Sequence, residues 1–356
     1  MHVIYYITSH GYGHGVRTAA IGNAFSPDVR LTFRTALPRK FLHEEVRRAF
    51  DYEPAEFDCG CIQKDSMTTD VEKTFSRYRE LALENGRRLA DEVAWCRERG
   101  ADVIASDITP FAFEVAAAAK IPSVAVTNFT WYDVYQKYAH AVPWSGPLLD
   151  ALRSQYARAD LLCALEPALP MAYFPKRIET PPVGRIGRNR SVEITRKYGF
   201  DPSKKFALIY FGHFGINEID WRRLERFGNW EFLGVFPLPD PPANYRLIPK
   251  SDFSYQDLVA SADLMIAKIG YCVTSECMLH GTPLFYLPRD DFAESPKLET
   301  GIAAWGGGYR STFDDFKGLG WGSILEQVER RGRAKAVASN GALICAREIE
   351  RLGRQR

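Results

Sequence analysis

Short apolar runs alternate with longer amphipathic stretches along the whole chain, the pattern of a parallel sheet whose strands are joined by helical crossovers. In the first half, the runs at 3–7, 30–33, 103–105, 123–126 and 161–164 predict strands, while 71–99 and the alanine-rich 111–120 predict helices. In the second half, strands are expected at 206–211, 232–235, 264–267 and 284–287, with helices at 255–261, 273–280 and 294–304. Between the halves, Thr180-Pro181-Pro182-Val183-Gly184-Arg185-Ile186-Gly187-Arg188 is dense in breakers. The expected organisation is therefore a first domain over 1–180, a hinge over 181–190 and a second domain over 191–333. Helical spacing with basic residues then predicts a last helix within 334–356 that packs back on the first domain. Each domain reads as α/β, a doubly wound, Rossmann-like parallel sheet, and the two would face a cleft.

Length and composition narrow this picture little. A chain of 356 residues exceeds what one core usually organises, which agrees with two domains. Net charge is only +2, too small to argue for nucleic acid or an anionic membrane as partner. Seven cysteines include one close pair, Cys59 and Cys61, without a second pair or a histidine cluster, so reduced cytoplasmic thiols are expected and no metal site. Residues 2–7 read as a strand rather than a signal peptide, and no apolar run reaches the roughly 18 residues of a membrane span. A peripheral contact with lipid is left open.

The candidate chemistry lies at strand ends. After strand 3–7 comes Thr8-Ser9-His10-Gly11-Tyr12-Gly13-His14-Gly15-Val16-Arg17, read as a glycine-rich loop that a ligand can approach closely. The dinucleotide pattern G-x-G-x-x-G is not met, because Gly15 follows Gly13 by two residues. His10 and His14 stand at the carboxyl edge of the sheet, where open α/β folds bind ligands, and a histidine there can take a proton from a hydroxyl at neutral pH. A capping or structural role is the alternative. Asp107, after strand 103–105, either caps the proline-started helix or orients His14. Asn128 and Trp131, in the polar and aromatic stretch 127–132, either wall a sugar-like acceptor or serve packing.

In the second half, Gly270-Tyr271-Cys272-Val273-Thr274-Ser275-Glu276 follows an apolar strand and opens a helix, whose N-terminus suits a phosphate. Glu276 is placed to hold a sugar hydroxyl. Gly212, His213, Phe214 and Gly215 end another strand and can cradle a pyrophosphate. Lys250 and Phe253 precede a helix and either edge a nucleobase, with Phe253 stacked on it, or form a surface turn. Arg289, Asp290 and Asp291 either contact donor sugar hydroxyls or make a solvated turn.

Taken together these motifs resemble glycosyltransferases of the GT-B fold, in particular the MurG-like group and the glycosyltransferase-like region that precedes the kinase in plant L-arabinokinases. The likeness is carried by His10-Gly11-Tyr12-Gly13-His14, Ser106-Asp107, Thr127-Asn128-Phe129-Thr130-Trp131, Lys268 to Glu276, and Arg289-Asp290-Asp291-Phe292, and it runs nearly the whole length. It implies a nucleotide-sugar co-substrate, UDP-linked by family habit, with no other cofactor and no required metal. An acceptor (small molecule, glycan or lipid-linked) would meet Gly11, Tyr12, Gly13, Asn128 and Trp131, with His14 as general base and Asp107 as its partner. Gly270, Tyr271, Thr274 and Ser275 resemble the phosphate-binding turn, and Glu276 the ribose-binding glutamate. At 289–291 the relatives often carry a glutamine or asparagine pair, so the donor sugar stays open. A nucleotide-sugar 2-epimerase of the same fold and a non-catalytic nucleotide-sugar sensor are the rival functions.

Overall fold

The computed structural model describes residues 1–64, 68–211, 219–238, 240–249 and 251–355. They form two compact units, one comprising Met1–Val183, Asp291–Glu294 and Asn340–Arg356, the other Gly184–Asp290 and Ser295–Ser339.

The first unit holds a seven-stranded parallel sheet made of β1 (His2–Ile7), β2 (Arg30–Arg34), β3 (Asp51–Glu53), β4 (Val103–Asp107), β5 (Ser123–Thr127), β6 (Leu161–Leu165) and β7 (Arg177–Thr180), in spatial order 3-2-1-4-5-6-7. Its connections are α1 (Tyr12–Gly22), α2 (Arg39–Glu45), the long α3 (Val71–Glu98), α4 (Phe111–Ala119), α5 (Trp131–Tyr138) and α6 (Gly146–Tyr156). β1, β4, β5 and β6 are buried at every position, because helices cover both faces, and this explains their near-continuous apolar sequence. Strand order reverses between β1 and β4, where Ile7 lies beside Asp107. In sheets of this kind that reversal opens a crevice at the carboxyl ends of the two strands.

The second unit contains α7 (Ser191–Tyr198), β8 (Lys205–Tyr210), β9 (Trp230–Gly234), β10 (Tyr245–Leu247), α8 (Tyr255–Ser261), β11 (Leu264–Lys268), α9 (Tyr271–His280), β12 (Leu284–Leu287), α10 (Ser295–Trp305), β13 (Gly308–Arg310), α11 (Phe313–Lys317) and α12 (Gly322–Arg331). Its six strands are also parallel, in order 10-9-8-11-12-13, so the reversal falls between β8 and β11. Residues 184–190 are held on this unit. Gly187 N–H donates to His280 Nε2 at 2.8 Å, Arg188 N–H to Asp257 Oδ1 at 2.7 Å, and Arg190 N–H to Ser261 Oγ at 2.7 Å.

Two differences from the sequence reading stand out. The chain from Tyr12 onward is helix, not loop, so Gly13 and Gly15 lie inside α1. Gly15 is there for packing: a Cβ on it would lie 2.5 Å from the Phe41 ring and 2.8 Å from Leu37. The edge strands β3, β7, β10 and β13 were not foreseen, since three or four residues with charged positions give no periodic signal. Among the described residues no helix is long and apolar enough to cross a membrane.

The last helix, α13 (Gly341–Gly353), belongs to the first unit and packs on α1, β4, β5 and β7. Gly341 lets it approach, because a Cβ there would sit 2.2 Å from the Pro181 carbonyl oxygen. Glu350 fastens it, accepting from Ser26 N–H at 2.7 Å and Ser26 Oγ at 2.8 Å. Glu350→Ala is expected to lower unfolding free energy by about 2 kcal/mol, the usual worth of bonds to a charged group. Urea denaturation checks this; an unchanged midpoint would mean apolar contact alone holds α13.

Candidate functional site

The chain leaves β1 and runs extended through Gly11 (φ −173°), which precedes α1 without any side-chain cap. Among the described residues, nothing but its own chain neighbours lies within 4 Å of where a Cβ on Gly11 would stand. Helical spacing then sets His14, Arg17 and Thr18 on one buried face of α1, directed at the end of β4. Arg17 forks onto the buried Asp107, with Nε to Oδ2 at 2.7 Å and Nη2 to Oδ1 at 2.6 Å. Thr18 Oγ1 donates to Oδ2 at 3.2 Å, and His14 Nδ1 lies 2.8 Å from Oδ1.

This arrangement decides the state of both groups. Burial by itself would raise the Asp107 pKa, but the charges of Arg17 and His14 and their hydrogen bonds overcome it, and the carboxyl is held from its ordinary 3.8 down to about 2. An ionised carboxylate only accepts, so His14 Nδ1 must carry the proton that it donates to Asp107. Arg17 Nη2 also comes within 3.1 Å of that nitrogen, a close approach imposed by the shared acceptor Oδ1. When the His14 ring is neutral, its lone pair is therefore on Nε2. Asp107 caps no helix: Pro110 precedes α4 without a side-chain bond.

The cluster extends further. Arg17 Nη1 donates to Asn128 Oδ1 at 2.6 Å, and Asn128 Nδ2 donates to Glu294 Oε2 at 2.7 Å. Glu294 is buried in the short 291–294 segment, whose Phe292 packs edge-on to Phe129. Beside this lies a second buried carboxylate, Asp58, which accepts from Thr8 Oγ1 at 2.5 Å, Thr109 Oγ1 at 2.7 Å and Trp131 Nε1 at 3.2 Å. Burial outweighs these donors and raises its pKa. Trp131 is fully buried, with His10 and His14 ring centroids at 5.1 Å and 6.2 Å from it. Asn128 and Trp131 therefore support the histidines from behind, and do not form the open wall foreseen for them. Tyr12 remains 41% exposed, its ring 4.8 Å from that of Phe41.

The second unit repeats the local device of strand, extended glycine and helix. Gly270 (φ −178°) precedes α9 without a side-chain cap, again with nothing among the described residues but its chain neighbours within 4 Å of its Cβ position, and Tyr271 opens the helix. Beyond that turn the side chains face inward. Thr274 is buried, and Ser275 Oγ donates to the Cys272 carbonyl. Glu276 is 1% exposed and accepts from Arg185 Nε at 2.7 Å, Arg185 Nη2 at 3.3 Å and Arg185 N–H at 3.2 Å. The Arg185 guanidinium lies 4.7 Å from the Tyr255 ring centre. Phe253 is buried, with Arg190 over its ring at 4.8 Å, so the ring offers no open stacking face. Arg289 is buried, whereas Asp290 is exposed and lies 3.8 Å from Arg310. The Asp291 carbonyl accepts from Tyr138 Oη at 2.7 Å. Gly212, His213, Phe214, Gly215 and Lys250 lie outside the described residues. Among the described residues no group of three or more His, Cys, Asp or Glu is placed to hold a metal ion.

Arg17, Thr18, Asp58, Glu294 and Arg185 were missed from sequence. Only Arg17 and Thr18 carried a usable signal, standing three and four residues after His14 on a helix.

No protein-family model matches the chain. Over 97% of its length it is 27% identical to the L-arabinokinase of Arabidopsis thaliana, and it spans 34% of that protein, about a third. Over 170 residues, 41% of this chain and 44% of the relative, it is 23% identical to a UDP-N-acetylglucosamine–N-acetylmuramyl-(pentapeptide) pyrophosphoryl-undecaprenol N-acetylglucosamine transferase of Porphyromonas gingivalis. Among solved structures, MurG of Acinetobacter baumannii superposes with a TM-score of 0.60 at 11% identity, covering 98% of this chain and 99% of that one. The chain has the GT-B fold. A UDP-glucosyltransferase of Polygonum tinctorium gives a TM-score of 0.66 at 16% identity, covering 100% and 99% of the two chains. At such identities the likeness of this GT-B chain to both is one of fold.

The Asp107 pair makes a pH-dependent contribution to stability. Its folded pKa lies below the unfolded one, so the contribution, about 2 kcal/mol, is complete above about pH 5 and is lost as pH falls toward 2. The stability difference between wild type and Asp107→Asn, taken from urea denaturation at pH 6.5 and pH 3, should shrink by about 1 kcal/mol. An equal difference at both pH values would remove the assignment of an ionised, strongly paired Asp107.

Proposed function

We propose that this protein transfers a sugar from a nucleotide-diphosphate donor to a hydroxyl of an acceptor. The observation that carries the reading is the 2.8 Å His14 Nδ1–Asp107 Oδ1 contact at the reversal point of the first sheet, which draws the proton of a neutral ring to Nδ1 and leaves the lone pair on Nε2. That is the form a histidine must have to take a proton from a hydroxyl. The GT-B fold supports the reading, as does the likeness to a protein named as an N-acetylglucosamine transferase.

In the proposed step the acceptor hydroxyl gives its proton to His14 Nε2, and its oxygen forms a bond to the anomeric carbon of the donor. The bond from that carbon to the diphosphate oxygen breaks, and the electron pair leaves with the nucleoside diphosphate. Asp107 holds the ring in register and faces the imidazolium that forms. In the second unit, the N-terminal end of α9 behind Gly270, where the helix dipole is positive, suits the negative charge of a diphosphate. Uridine is the base by analogy with the donor named for the Polygonum enzyme.

A thermal-shift screen of nucleotide sugars tests the donor, since a ligand at a hundredfold excess over its Kd stabilises the fold by about 2.7 kcal/mol. One nucleotide sugar should raise Tm more than its bare nucleotide; no shift with any of them removes the donor reading. With that donor and an acceptor, His14→Ala should reduce turnover by about 10²–10⁴ while leaving the donor-induced shift intact. Unchanged turnover would remove the base assignment. Conversion of the donor without acceptor would favour a 2-epimerase, and binding without conversion a sensor.

A further inference from the structure

The proposed step leaves one buried carboxylate near His14 unused. Asp58 lies between β3 and α3, removed from water, and each of its hydrogen bonds comes from a donor. Trp131 Nε1–H can only donate, and it meets Oδ1 at 3.2 Å. Thr8 Oγ1 accepts from the His10 N–H at 3.2 Å, and its own proton goes to Oδ1. Thr109 Oγ1 reaches Oδ2 at 2.7 Å, its one side-chain bond among the described residues. A carboxyl proton on Oδ1 would face two donors, and one on Oδ2 would leave the Thr109 proton without an acceptor. These contacts are those of an ionised carboxylate, held so against the burial that raises its pKa.

The other charges around His14 leave such an anion something to do. Asp107 Oδ1 lies 2.8 Å from Nδ1, and Arg17 Nη2 lies 3.1 Å from the same atom. Carboxylate and guanidinium stand at nearly equal distances, so their pulls on an imidazolium largely cancel. Glu294 is bonded to Asn128, which Arg17 also holds, and His10 faces Trp131 with ring centroids 5.1 Å apart. Asp58 reaches His14 by way of Trp131, whose N–H it accepts and whose ring centroid lies 6.2 Å from that of His14. Thr8 spans the two carboxylates, its N–H donating to the Asp107 carbonyl at 3.3 Å and its Oγ1 to Asp58. The charge of His14 is among those that favour ionised Asp58, and two coupled charges act on each other equally. Cys59, Tyr78, Tyr135 and Tyr156 also face Asp58, but burial raises the pKa of each, so they stay neutral.

We infer that Asp58 is a positioning residue for His14: its charge, held beside Trp131, favours the imidazolium that forms when His14 takes a proton from the acceptor. Arg17 and Asp107 aim the ring, and Asp58 supplies negative charge that no bonded cation offsets among the described residues. Burial extends its reach, because little water screens it. The same carboxylate keeps the indole in place against both imidazoles. The effect on turnover rests on the transferase reading; the effect on His14 protonation does not.

Asp58→Asn removes the charge and keeps the shape, with the amide oxygen left to Thr8 and Trp131 and the amide N–H turned to Thr109. Histidine NMR across a pH series, with His14 assigned by the loss of signals in His14→Gln, reads the effect directly. In Asp58→Asn the His14 ring should give up its extra proton at a pH lower by about half a unit or more than in wild type. Coincident titration curves overturn the inference. If the variant does not fold, the wild type decides: the carbon-13 carboxyl signal of Asp58 at neutral pH should be that of an ionised carboxylate, and a protonated one overturns the inference. In a transfer assay, Asp58→Asn should lose roughly threefold to tenfold in kcat with the donor KM unchanged, and the acid limb of its pH profile should move down with the His14 titration. A loss of kcat with an unmoved acid limb would mark a merely structural role and overturn the inference. A shifted His14 titration in a protein that transfers no sugar would sink the transferase reading and leave the Asp58 assignment standing.

Discussion

Everything in the first unit's site depends on one buried ion pair, Arg17 with Asp107. Both side chains are almost wholly removed from water, at 2% and 0% exposure, a desolvation that costs several kcal/mol per ion unless the geometry returns it. Here the return comes from number and direction. Arg17 forks onto both carboxylate oxygens, and its remaining N–H groups reach Asn128 Oδ1 and Thr127 Oγ1. Asp107 in turn collects bonds from Thr18 and His14. Because the partners are spread over α1, the end of β4, the end of β5 and the segment after it, satisfying the charges ties these together and, through Asn128 and Glu294, reaches the 291–294 segment. Arg17 also absorbs much of the Asp107 charge, so the carboxylate acts on His14 chiefly by aiming the ring and fixing its tautomer.

The two units use one backbone device for different chemistry. In each, an extended glycine, with no side chain of its own to cap with, leads into a helix. After Gly11 the helix face is a titratable cluster, whereas after Gly270 the side chains turn inward and Glu276 is covered by Arg185. Arg185 introduces a constraint of its own: a ligand that is to reach the Glu276 carboxylate has to displace a guanidinium bonded to it and seated over Tyr255.

The central strands were legible in the sequence because burial on both faces forces uninterrupted apolar runs, and the pairing of His14 with Asp107 was legible because Asp107 ends one strand and the His14 segment follows the end of its neighbour. Other features lacked a local signal. The start of α1 was misread since glycine and histidine lower helix propensity, a preference here overridden by tight packing on Phe41 and Leu37. Asp58 stands in an irregular stretch with no periodicity, and it meets Thr8 and Trp131 at separations of 50 and 73 residues. Glu294 reaches Asn128 across 166 residues. Such contacts follow from topology, which a single sequence fixes only once the strand order is known.

The same limit explains why a motif can mislead about roles. His10 and His14 sit four residues apart in a symmetrical string of glycines and look interchangeable. Their chemistry is assigned from outside the string, by an amide 51 residues away in one case and a carboxylate 93 residues away in the other. An imidazole has two nitrogens, and whichever is engaged by the fold dictates what the other can do. A donating amide on Nδ1 makes Nε2 a donor; an accepting carboxylate makes it an acceptor. Two identical side chains four residues apart are thus given opposite partners at Nδ1, the Cys61 amide for His10 and the Asp107 carboxylate for His14.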